Sequence, residues 1–95
     1  MSKNHPPHRH AAHPAIAKRL KRAGGHLNIV VTMIEQERTC MDIVQQLHAV
    51  ERAVAAAKKA LIHSHLDHCL DHAVLTTPKA ARLAVAEFKD ITKYL

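Results

Sequence analysis

The chain has 95 residues and a net charge of +6, and its apolar side chains are almost all aliphatic, with one Phe, one Tyr and no Trp. That length allows a single small domain with a modest core, one that a partner chain would complete. Two cysteines exclude a disulfide framework, no apolar segment of signal-peptide type follows Met1, and no stretch approaches the roughly 20 apolar residues that span a bilayer. The expectation is therefore a cytoplasmic protein with reduced thiols and no membrane partner.

Residues 1–14 read as a flexible, His-rich arm, with Pro6, Pro7 and Pro14 opposing helix and His5, His8, His10 and His13 along it. Residues 15–95 read as one helical domain. Helix 1 is expected to start near Pro14, with apolar positions Ile16, Leu20, Ala23, Leu27, Val30 and Ile34 spaced 4,3,4,3,4, a coiled-coil-like seam. Gly24 and Gly25 fall inside this pattern and are read as sites of close helix approach, not as a helix end. Thr39 is the expected N-cap of helix 2, with Asp42 three residues later as an approximate capping box. Ile43, Leu47, Val50, Val54, Ala57 and Leu61 then repeat the same spacing, and nothing breaks the helix until about Thr76. Thr77 and Pro78 supply the cap and first turn of helix 3, whose apolar positions are Ala84, Phe88, Ile91 and Leu95. No segment alternates with period 2, so the fold class is all-α. A helix 2 of that length, with few partners in its own chain, argues for a dimeric bundle.

Charge is placed unevenly. Residues 1–34 hold six basic side chains (Lys3, Arg9, Lys18, Arg19, Lys21, Arg22) and no acidic one, while the remainder balances eight against eight. A basic first helix suits a nucleic-acid partner, with Lys18, Lys21 and Arg22 on one side and Arg19 beside them, against the plainer reading of a solvated helix face. Cys40, His65 and Cys69 are the candidate metal ligands. His65 and Cys69 stand one helical turn apart, with His72 continuing the face. Cys40 lies 25 residues before His65, about 37 Å along a straight helix at 1.5 Å per residue. One chain cannot bring it to His65, whereas an antiparallel dimer can, so the spacing points to a site shared between subunits. The alternatives are small core cysteines, solvated histidines, or a Cys/His nucleophile, which would need a pocket that a slim bundle supplies poorly.

RLKRAGGHL, CMDIVQQLHAVERAV and HSHLDHC resemble, in that order, the basic first helix, the Cys/Gln-Gln/Ala-Val stretch and the second ligand segment of the CsoR/RcnR family of metal-sensing transcriptional repressors. The resemblance runs from about Ile16 to Leu95. It implies three helices per chain, an antiparallel four-helix-bundle dimer, and a tetramer built as a dimer of dimers. It implies operator DNA held by basic residues of helices 1 and 2, here Lys18, Arg19, Lys21, Arg22 and Arg52, and release of that DNA on metal binding to derepress an efflux gene. The implied ligands are Cys40 of one subunit with His65 and Cys69 of the other. Nickel- and cobalt-responsive members add a His 32 residues before the Cys, which is His8 here, with His10, His13 and His72 as further candidates. Copper-sensing members place Tyr before the Cys and a Glu on helix 3; here Thr39 and, near the second place, Val85 stand instead. Formaldehyde-sensing members carry an N-terminal Pro where this chain has Ser2. Three soft ligands suit Cu(I), whereas a fourth nitrogen from the arm suits Ni(II) or Co(II), and Zn(II) is chemically possible. The expectation is a repressor responsive to Ni(II) or Co(II), with a Cu(I)-responsive or formaldehyde-responsive repressor of the same family as the alternative. A His-rich metal chaperone or storage protein is the alternative from another class.

Overall fold

The structure, a computed structural model, describes residues 11–74 and 77–95, with only the helical backbone described at 69–74. It is all-α: α1 spans His13–Glu35, α2 Cys40–Val74 and α3 Pro78–Ile91, and a short 3-10 turn, Thr92–Tyr94, closes the chain. Residues 1–10 of the expected arm lie outside the described residues. The helices fall into two compact units, one of Pro14–Lys58 and one holding Lys59–Leu95.

The first unit is a helical hairpin. The turn between α1 and α2 is closed by backbone hydrogen bonds. Gln36 N–H donates to Thr32 O (2.9 Å), Glu37 N–H to Ile34 O (3.0 Å) and Arg38 N–H to Met33 O (3.0 Å). The last two are the paired bonds of a Schellman ending, and they require a left-handed residue at the turn. That residue is Glu37, at φ 57°, where glycine would be the cheaper occupant. One residue on, Thr39 Oγ1 accepts from Asp42 N–H at 3.1 Å and so caps α2 as its sequence pattern predicts. Arg38 and Asp42 form an exposed pair at 3.6 Å across the same junction. Cys40 is thereby fixed as the first residue of α2.

The hairpin covers only half of each seam. Ile16, Ala23 and Val30, each seven residues apart, are buried with Met33; Leu20, Leu27 and Ile34, the other half of the seam on α1, are exposed. On α2, Val50 and Ala57 are buried and Ile43 is half-buried, while Leu47, Val54 and Leu61 are exposed. Gly24 and Gly25 sit inside an unbroken α1, as expected, but a Cβ at either would meet nothing within 4 Å. Within this chain they therefore permit no close approach, which corrects the sequence expectation.

In the second unit Ile62 is buried, and α3 presents Ala81, Ala84, Phe88 and Ile91 as a half-buried line. Thr77 caps α3 by accepting from Ala80 N–H at 3.2 Å, with Pro78 in the first turn. The α-helix ends at Ile91, so Leu95, expected on the apolar face of helix 3, is exposed beyond it.

Thr39→Ala is expected to lower folding stability by about 1 kcal/mol through loss of the cap. Glu37→Gly is expected to raise it by about 1 kcal/mol by removing left-handed strain. Urea denaturation followed by circular dichroism checks both signs.

Candidate functional site

Two groups of side chains carry chemistry. The first is polar and lies on the histidine-rich half of α2. His65 is half-buried there, and its Nε2 donates to Glu87 Oε1 of α3 at 3.2 Å. A histidine whose Nε2–H is held by a carboxylate has its ring oriented and its remaining lone pair placed on Nδ1, the arrangement that ligand histidines show in metal sites. Sequence reasoning missed Glu87. It looked for a carboxylate near Val85, whereas the carboxylate that meets His65 stands two residues further along α3. The direction of a helix's polar side depends on how α3 docks, and spacing does not give that.

Cys40 is an exposed free thiol at the first position of α2. Its neighbour Thr39 spends its hydroxyl on the helix cap, so the position where copper-sensing relatives are expected to carry Tyr is here structural. Cys69 and His72 lie on the helical backbone of α2, but their side chains are outside the described residues, as are His8 and His10 altogether. His13, assigned to the arm in the sequence reading, is the first residue of α1 and is exposed. Among the described residues no three His, Cys, Asp or Glu side chains group around a common point that would hold a metal ion.

The second group is basic and belongs to the hairpin. Arg19, Arg22 and His26 recur at 3 and 4 residues along α1 and line an open cleft of about 310 Å³ whose other wall is Ala53 and Ala56 of α2. Small side chains on α2 leave the space into which the long guanidinium arms reach. Gln46 Oε1 accepts from His26 Nε2 at 2.7 Å and ties the two helices together. Of the five candidate DNA-contacting residues, the structure brings Arg19 and Arg22 together here. Lys18, Lys21 and Arg52 are exposed but line no part of this cleft. Arg22 lines this cleft with Arg19, while Lys18 and Lys21, which share with Arg22 the i, i+3, i+4 face that the sequence predicts, are exposed beyond the cleft. Glu51, beside Arg52, pairs with His48 Nδ1 at 3.5 Å. A second cleft of about 310 Å³ is lined by Ile29, Met33, Arg38, Asp42, Gln45 and Gln46.

A polar cluster on one helical segment and a basic cleft on another is an arrangement that comparison with known proteins can place. The family model described as metal-sensitive transcriptional repressor matches residues 12–94, nearly the whole chain. The chain belongs to that family. It is a family of repressors, not of enzymes. Among its relatives, the copper-sensing transcriptional repressor CsoR of Mycobacterium ulcerans is 36% identical over 80 residues, covering 84% of this chain and 67% of the relative. CsoR of Bacillus subtilis, also named copper-sensing, is 32% identical over 78 residues, covering 82% and 75%. The copper-sensing repressor RicR of Mycobacterium tuberculosis is 38% identical over 58 residues, covering 61% and 60%. The chain spans about two thirds of the length of the mycobacterial CsoR proteins. No solved structure matches it. No helix among the described residues is long and apolar enough to cross a membrane.

The His65–Glu87 contact predicts a tautomer. In nitrogen-15 correlation spectra of the metal-free protein His65 is expected to carry its proton on Nε2, and Glu87→Ala is expected to remove that preference; an Nδ1–H signal in the unaltered protein would contradict the geometry.

Proposed function

We propose that this repressor senses Cu(I): it binds operator DNA without metal and lets go when Cu(I) is bound by Cys40 of one subunit with His65 and Cys69 of another. The observation that carries this reading is the carboxylate of Glu87 on His65 Nε2. The sequence expectation favoured Ni(II) or Co(II) partly because a helix 3 carboxylate was missing. It is present, at Glu87, and the relatives named above are all named for copper. Two thiolates and one imidazole form a soft donor set that Cu(I) accepts in three-coordinate geometry without a fourth ligand. Glu87 would raise the basicity of the imidazole and hold the ring in place, a support whose loss typically costs 10–100-fold in metal affinity.

Assembly completes this reading. The exposed halves of the two seams, Leu20, Leu27 and Ile34 on α1 and Leu47, Val54 and Leu61 on α2, offer an apolar surface for a second copy. Antiparallel pairing of α2 sets the start of one helix, with Cys40, beside the end of the other, with His65 and Cys69; two such dimers make the tetramer. DNA is held through phosphates by Arg19 and Arg22, with Lys18, Lys21 and Arg52 adding charge at the surface. Metal and DNA then act on one equilibrium, with coupling of about 1–3 kcal/mol per linked event. The nickel or cobalt reading retains one observation in its favour: Thr39 stands before Cys40, its hydroxyl committed to the cap. In that reading His8, or His10, His13 or His72, supplies a further nitrogen.

The deciding experiment titrates the metal-free protein on a labelled duplex of its own upstream DNA with Cu(I), Ni(II), Co(II) and Zn(II) under anaerobic conditions. Cu(I) is expected to release the DNA near one equivalent per chain, and Cys40→Ser or His65→Ala is expected to keep DNA binding while abolishing release. Release by Ni(II) alone, lost in His8→Ala, would replace copper with nickel. Glu87→Ala is expected to weaken Cu(I) binding about 10–100-fold, read by competition with a chelator. Leu47→Glu with Val54→Glu is expected to break the assembly to monomers in sedimentation velocity.

A further inference from the structure

The basic cleft holds one group that the repressor reading does not use. His26 lies half-buried on α1, one turn after Arg22 and two after Arg19, and all three line the same open space. Its Nε2 is already spent: it donates to Gln46 Oε1 at 2.7 Å. That bond fixes the ring in the Nε2–H tautomer and leaves Nδ1 as a bare acceptor in the neutral form. A bare acceptor repels a phosphate oxygen. An imidazolium does not, because its Nδ1–H becomes a charge-assisted donor while Nε2–H stays on Gln46.

We propose that His26 is a third phosphate ligand of the cleft, gripping the DNA backbone together with Arg19 and Arg22 and taking up one proton from solvent as it does so. The proposal rests on the DNA-binding reading above and adds to it a residue and a linked proton. The charged groups facing His26 are Arg19 and Arg22 on its own helix. From α2 it meets the neutral Gln46, Ala53 and Ala56, and no carboxylate is among the described residues that line the cleft. The cleft therefore supplies no anion to hold the imidazolium, and the incoming phosphate supplies it. The sign follows by linkage: the DNA-bound state holds more protons than the free protein, so affinity rises as pH falls. The size follows from counterion release, since each phosphate neutralised steepens the plot of log affinity against log salt by about 0.9.

The test measures binding of the metal-free full chain to two labelled duplexes, its own upstream DNA and a random sequence of equal length, over a salt series at pH 6 and pH 8. The chain has ten histidines, so the readout is the difference between the unaltered protein and His26 variants. The unaltered protein is expected to show a salt slope steeper by about 0.9 at pH 6 than His26→Ala on both duplexes, and the two slopes are expected to converge at pH 8. His26→Lys, which carries its charge at either pH, is expected to keep the steep slope at both. Circular dichroism melts confirm that each variant is folded, and His26→Lys gives a gain that misfolding cannot imitate. If Arg22→Ala flattens the slope while His26→Ala and His26→Lys both match the unaltered protein, the His26 assignment is overturned and the DNA reading stands. If neither duplex is bound, the DNA reading itself falls.

Discussion

Apolar side chains on a long helix must be covered, and each long helix here carries at least twice as many seam positions as its own chain buries. Every second step of the 4,3,4,3,4 pattern, Ile16, Ala23 and Val30 on α1 with Val50 and Ala57 on α2, is consumed by the hairpin; the intervening positions, Leu20, Leu27, Ile34, Leu47, Val54 and Leu61, are left facing outward. At about 25 cal/mol per Å² of apolar surface removed from water, such a stripe is a strong drive to associate. This one condition organises the molecule. It leaves an apolar stripe that the assembly proposed above would cover, and it leaves the opposite flank of α1, with Arg19, Arg22 and His26, open to the charged partner proposed there.

Local chemistry was legible in the sequence and docking was not. The caps at Thr39 and at Thr77 with Pro78 are written in short segments whose hydrogen bonds close within four residues, so reading them requires no knowledge of the rest of the fold. The seam was legible as a stripe, but a period of 3.5 does not say which half of the stripe meets the neighbouring helix. Gly24 and Gly25 were read as contact points on the same pattern, yet they face open space in this chain because the covering helix lies on another side of α1. Helix 3 was predicted to run to Leu95; its last turn tightens into a 3-10 geometry, and Leu95 leaves the apolar line.

The candidate metal centre shows the same division. Cys40 could be placed at a helix start from Thr39 and Asp42 alone, and so it stands. Glu87 could not be assigned to His65 from spacing, because the two residues belong to different helices and only the docking of α3 brings them within 3.2 Å. In the copper reading proposed above, that contact would be the outer carboxylate of a three-ligand centre. On α1, by contrast, His26 is legible in principle: its spacing of 3 and 4 continues Arg19 and Arg22, and a charge count that takes histidine as neutral passes over it.

Gln46 occupies an unusual position in this scheme. It lines one cleft of the hairpin, with Arg38 and Asp42 near the first turn of α2, and it holds His26, which lines the other beside Arg19 and Arg22. Six residues separate it from Cys40, roughly 9 Å of unbroken helix. Over that span an α-helix behaves as a rod. In the function proposed above, a displacement of the thiol at its tip would be carried along that rod to the amide that holds the imidazole. Metal position at one end and phosphate grip at the other would then be one mechanical variable, with no hinge needed between them.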